Sequence, residues 1–166
     1  MKKNNIWKLA SLALAMFAFG FTSCEEEEPT EVAKNEAAAV EGFVTYSNTI
    51  ADTEGAVAKN ATIVVNYSYK LNINGEEVVV TLSEQAQTNR NGWYSVKLNV
   101  PTGKTADYTI VATFVTADKA KDVGSSSTVG DCLFKKTATG TVSYGDVVKE
   151  NIALANEGLV NDGYGK

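Results

Sequence analysis

The stretch from Ala61 to Thr88 leaves this chain little freedom. Ala61, Ile63, Val65, Tyr67, Tyr69, Leu71 and Ile73 alternate with Thr62, Val64, Asn66, Ser68, Lys70 and Asn72. A period of two puts the first set on one buried face of a strand and the second on a mostly wet face. Asn74-Gly75 follows, and this pair suits a type I′ turn, which needs positive φ at both central positions. A two-residue loop would set Ile73 opposite Glu76, Leu71 opposite Val78, Tyr69 opposite Val80 and Tyr67 opposite Leu82. A slip by one residue would set the valines against the polar set. Turn chemistry and pattern therefore specify one register of one antiparallel hairpin.

The remaining strands follow from the same alternation. Val40 to Tyr46 reads as a first strand, and Ser47 to Lys59 as a loop. Asn91-Gly92 makes a second turn before Trp93 to Val100, closed by Pro101. In that strand Tyr94, Val96, Leu98 and Val100 form one face, and Trp93, Ser95, Lys97 and Asn99 the other. Tyr108 to Thr116 is another strand, and Lys119 to Gly130 a polar loop. Asp131 to Lys135 and Val147 to Leu154 complete a set of about seven short strands with no convincing helix. The pattern predicts an all-β fold, an antiparallel β-sandwich over residues 39–155, followed by a tail at 156–166. About 115 residues suffice to bury one core.

Residues 1–23 have the layout of an export signal. Lys2, Lys3 and Lys8 precede the apolar run Leu9 to Phe21, which falls short of the ~20 residues of a membrane span. Phe21-Thr22-Ser23-Cys24 resembles the lipobox of bacterial lipoproteins. That resemblance implies diacylglycerol on the Cys24 thiol and an acylated new N-terminus, with several chains giving stable anchoring. Glu25, Glu26, Glu27 and Glu28 follow at once. An acidic run there resembles the surface-export signal of lipoproteins in gut Gram-negative anaerobes, and implies an outer-membrane, cell-surface location. In either case the run is an extended, self-repelling spacer. Residues 24–38 read as a flexible tether reaching up to ~50 Å at ~3.3 Å per residue.

Charge and composition narrow the function classes. All twenty acidic residues lie after Cys24, with twelve of the fifteen basic ones, so that part carries a net charge of −8. Such a domain repels phosphate backbones, and nucleic acid is not an expected partner. Histidine is absent, which removes the commonest general base and metal ligand. With Cys24 lipidated, Cys132 has no partner for a disulfide, and no Cys-rich zinc site can form.

The order of elements resembles the carboxypeptidase regulatory-like domain, a transthyretin-like, Ig-like Greek-key sandwich of seven strands. Val40-Glu41-Gly42-Phe43-Val44 is similar to that family's V-x-G-x-V opening strand. Asn60-Ala61-Thr62-Ile63-Val64-Val65 is similar to its G-A-x-V-x-V strand, with Asn60 in place of Gly. Thr88-Asn89-Arg90-Asn91-Gly92-Trp93-Tyr94 is similar to T-D-x-N-G-x-Y, and Asn151-Ile152-Ala153-Leu154 to the closing strand. The resemblance implies a non-catalytic folding, docking or recognition domain. Hydrolases on this architecture need histidines and a C-terminal Tyr-Arg-Gly-Ser, where this chain has Tyr164-Gly165-Lys166. Isopeptide-bonded relatives need a first-strand Lys, which is absent.

Trp93 is the leading candidate contact, outward beside Lys97 and Asn99 if Tyr94 points inward. An indole with polar neighbours can stack on a sugar ring or anchor a protein. The sequence therefore predicts no enzyme and no cofactor. It predicts a lipid-anchored recognition, adhesion or assembly protein, or alternatively a glycan-binding accessory lipoprotein of an outer-membrane polysaccharide uptake system. Tyr67, Tyr69 and Cys132 are expected in the core. Glu76, Glu77 and Glu84 are expected in solvent. Asp118, Asp122 and Asp131 lack the dense spacing of a calcium loop, so no metal is predicted.

Overall fold

The computed structural model describes residues 37–119 and 129–160. The export segment, Cys24, Glu25 to Glu28, the tether up to residue 36, Asp122, Gly124 to Ser127 and residues 161–166 lie outside the described residues. The described residues are all-β. Their nine strands are β1 (Ala38–Asn48), β2 (Thr53–Val57), β3 (Thr62–Ile73), β4 (Glu76–Gln87), β5 (Trp93–Leu98), β6 (Thr105–Lys119), β7 (Val129–Ser143), β8 (Val147–Lys149) and β9 (Ile152–Leu159). They form one open, mixed sheet in the order β2-β1-β9-β7-β6-β3-β4, with β5 and β8 also paired to β1.

The β3–β4 hairpin has the register its sequence predicts, from Ile73 opposite Glu76 to Tyr67 opposite Leu82. Asn74 (φ 57°) and Gly75 (φ 89°) both take the left-handed conformation of a type I′ turn. Asn60 (φ 59°) does the same just before β3. Asn tolerates that region better than most residues with a side chain.

Four departures from the predicted pattern have physical causes. β2 forms inside the expected loop, because its Thr53–Val57 segment is too short and polar to show alternation. β7 runs through Thr137, Thr139 and Thr141, whose β-branched but polar side chains suit a strand without marking an apolar face. The last predicted strand is two, β8 and β9, separated at Glu150–Asn151, and β9 continues to Leu159, into the expected tail. Finally, β8 and β9 both pair parallel with β1, so the sheet is not purely antiparallel. These strands reach β1 from the far end of the chain rather than through a hairpin, so no short turn fixes their direction.

One hydrophobic cluster joins inward residues of β1, β3, β5, β6 and β7. It includes Val40 and Val44 of β1, Tyr94, Val96 and Leu98 of β5, Ile63, Val65 and Tyr67 of β3, Tyr108 and Ile110 of β6, and Phe134 of β7. Cys132 is free and buried there, and Tyr69 borders it, as their strand faces predict. Each fully buried side chain of this size contributes about 1.5–3 kcal/mol relative to exposure.

β1 is the hub. Its first half pairs with β5 and β8, and its second half with β2 and β9. The exchange of partners falls at Gly42–Val44, where loops supply the bonds that strands do not. The Val44 amide donates to the Gly92 carbonyl (2.8 Å), and the Ala58 amide donates to the Val44 carbonyl (3.0 Å). On the other side the Glu150 amide donates to the Glu41 carbonyl (2.7 Å), and the Phe43 amide donates to Asn151 Oδ1 (2.9 Å). The Glu150 carbonyl, which also accepts from Tyr94 Oη (2.8 Å), sits 2.1 Å from where a Cβ on Gly42 would stand. Only glycine permits that approach.

Candidate functional site

The outward side of the β5–β1–β8 ladder carries aromatic, acidic, hydroxyl and basic side chains, some exposed and some buried. Register builds it in rows. Trp93 of β5 lies opposite Phe43 of β1, Ser95 opposite Glu41, and Lys97 opposite Ala39. On the other flank Lys149 of β8 pairs with Glu41, and Val147 with Ala39. The alternating residues Tyr94, Val96 and Leu98 are in the core, which turns Trp93, Ser95 and Lys97 outward.

Trp93 and Phe43 meet edge to face, with ring centroids 5.1 Å apart and planes at 62°. Phe43 is 46% exposed and Trp93 half-buried, so the pair forms an aromatic ledge. The Asn89 side chain organises the turn beneath it. Its Oδ1 accepts from the amides of Asn91 (2.9 Å) and Trp93 (3.0 Å). In the next row Glu41 is only 3% exposed although it points outward. Its Oε1 lies 3.6 Å from Lys149 Nζ, and the lysine side chain is 71% exposed. Glu41 Oε2 and the neighbouring Ser95 hydroxyl are both buried without a hydrogen-bond partner. Buried carboxylate and hydroxyl oxygens in that state are uncommon and energetically unfavourable.

The predicted contact residues divide between two places. Trp93 belongs to the ledge. Lys97 and Asn99 are exposed and line a shallow cleft of about 330 Å³ with Glu84, Val100 and Tyr144. Four residues of strand, roughly 13 Å, separate Trp93 from Lys97, so the three do not form one point of contact. Sequence reasoning missed Glu41, Phe43 and Lys149. Glu41 and Phe43 alternate with Val40 and Val44, which already marks them as outward, but the pairing of β1 with β5 and β8 leaves no local signal.

A second polar cluster binds the β1–β2 turn to the end of β6. Asp118 Oδ1 accepts from the amides of Lys119 (2.8 Å), Thr49 (2.9 Å) and Ile50 (3.3 Å), and from the Thr49 hydroxyl (2.5 Å). Its Oδ2 accepts from Asn156 Nδ2 (3.2 Å). Burial pushes the Asp118 carboxyl up. The bonds from the Thr49 hydroxyl, the Lys119 and Thr49 amides and the Asn156 side chain outweigh it and hold the group below its ordinary value. Asp118 is therefore a structural acceptor, with its oxygens turned to N–H and O–H donors rather than to a cation. Asp131 is exposed. Among the described residues no three Cys, Asp or Glu side chains gather as a metal site. Glu76, Glu77 and Glu84 are exposed, and Glu77 pairs with Lys70 at 2.8 Å.

Comparison of the chain finds no matching family model, no matching curated protein and no matching solved structure.

Proposed function

We propose that this protein is a lipid-anchored, non-catalytic β-sandwich protein of the outer membrane, displayed at the cell surface for recognition, adhesion or assembly. The observation that carries this reading is Phe21-Thr22-Ser23-Cys24 with Glu25 to Glu28 directly ahead of an all-β domain. The acyl chains at Cys24 hold the chain to the membrane, and the tether stands the domain off the head groups. We read the β5–β1–β8 ladder and the β4–β3–β6–β7 ladder as the two layers of a transthyretin-like Greek-key sandwich. Their inward residues share one hydrophobic cluster, which supports that reading. The motifs of the carboxypeptidase regulatory-like resemblance also converge. Gly42, Gly92 and Asn151 meet at the partner exchange of β1, and Thr88 ties in the Asn60–Ala61 corner by accepting from the Ala61 amide (2.8 Å). With no histidine in the chain, the outward face of the ladder serves as a contact surface rather than a reaction centre.

Lipidation is tested by fractionating cells that express the full chain or its Cys24→Ala variant. The wild type is expected in the outer-membrane fraction, with processing blocked by globomycin. The variant is expected outside that fraction. Identical processing and fractionation of the two chains overturns the anchor. Replacing Glu25 to Glu28 by alanine should remove sensitivity to protease added to intact cells while membrane attachment persists.

A further inference from the structure

The Glu41–Ser95 row is unusual because its hydrogen-bonding capacity is built, covered and unused. A buried carboxylate oxygen needs a donor, and a buried hydroxyl needs at least an acceptor for its proton. Glu41 Oε2 and Ser95 Oγ have neither, and they stand on directly opposed positions of adjacent strands. Among the described residues the charged side chain paired with them in this row is Lys149, which lies 3.6 Å from Glu41 Oε1 and is 71% exposed. Lys149 therefore sits on the solvent side of Glu41 and is the group a ligand displaces first.

The chemistry that satisfies both atoms at once is a pair of adjacent hydroxyls, each able to donate and accept. The Trp93–Phe43 ledge begins one row away on the same face, at a separation of roughly 7 Å. That is the reach of one monosaccharide ring with its hydroxyls, and indole faces stack on the C–H side of such rings. A peptide is a poorer fit, because extended peptides seek backbone partners on a sheet edge, whereas the unused atoms here are side-chain atoms on a sheet face. We propose that this face binds a glycan, with one sugar ring on the Trp93–Phe43 ledge and neighbouring hydroxyls bonded to Glu41 and Ser95 beneath a displaced Lys149. The proposal rests on the reading of this ladder as a contact surface, and it names the ligand class.

The sequence has two tryptophans, Trp7 and Trp93, and Trp7 lies in the export segment that processing at Cys24 removes, so Trp93 is the single indole of the processed, detergent-solubilised protein. Its emission is titrated with a soluble α-glucan, a β-glucan, a xylan, a mannan and a polygalacturonate. At least one polymer is expected to change the emission saturably. Ser95→Ala, which removes one hydrogen bond, and Glu41→Gln, which replaces a charge-assisted bond by a neutral one, are each expected to weaken that polymer's binding about tenfold. Trp93→Ala should abolish retardation in an affinity gel containing the same polymer. Circular dichroism establishes that each variant is folded, and Ser95→Ala carries the test if Glu41→Gln is not. The proposal is overturned if no polymer alters the emission, if the folded variants bind as tightly as the parent, or if only an unstructured peptide probe binds. None of these outcomes alters the fractionation result for Cys24, so failure of the glycan assignment and failure of the anchor are distinguishable.

Discussion

Asp118 and Glu41 are both buried acids, and they differ in what surrounds them. Asp118 accepts from three amides, a hydroxyl and a carboxamide. Glu41 has one long ion pair and an oxygen with no partner. The first arrangement stabilises the fold and the second leaves capacity for a ligand. Because the folded Asp118 carboxyl titrates below its ordinary value of 3.8, its contribution is present above that value. The contribution is lost as pH falls toward the lower, folded value. Asp118→Asn should therefore lower stability at pH 7 by about 1–2 kcal/mol. It should also flatten the decline of stability as pH falls below 3.8. Urea melts across that range decide the matter, and parallel profiles for the two proteins would assign the acid sensitivity elsewhere. Neither acid's role was legible in sequence. Asp118 ends a strand beside a polar loop, and Glu41 looks like any outward charge on an alternating strand.

At the scale of elements, the hairpin was readable to its register because turn type and alternation are local properties. The partner exchange of β1 was not, since it depends on segments from four parts of the chain. Its glycines can be tested directly. Gly42→Ala puts a methyl group into the Glu150 carbonyl. Gly92→Ala imposes a side chain at φ +74° and 2.7 Å from the Val44 carbonyl. Each should cost about 2–4 kcal/mol in chemical denaturation, since backbone must move to make room. An alanine at either position with wild-type stability would mean that the exchange tolerates displacement. β2 and the long β7 escaped the reading for the opposite reason, having strand geometry without an apolar stripe.

At the scale of the molecule, pairing density predicts where the structure opens first. β1 pairs with four strands, whereas β3 pairs with β6 only as far as Ser68 opposite Asp107. Beyond that point, among the described residues, β3 and β4 pair only with each other, and past Tyr69 and Leu71 the tip is exposed, with Ile73 50%, Val78 39% and Val79 58% exposed. Native-state hydrogen exchange should thus be fast for the amides near the turn, residues 72–79. It should be slowest for Val40, Val44 and their partners in β5 and β9. Uniform protection along β3 and β4 would show that the tip gains its stability from a partner.

Local residue order is enough to specify the β class, the hairpin register, the inward placement of Tyr67, Tyr94 and Cys132, and the lipobox-like junction. All of these follow from spacing of two or from contiguous residues, so no distant contact is needed to see them. The mixed sheet, the role of β1 as its hub, and the meeting of Trp93 with Phe43 and of Ser95 with Glu41 come from tertiary contacts. Those arrangements bring residues some fifty to a hundred positions apart into one row, and the alternation of a single strand names its outward residues without naming its neighbours.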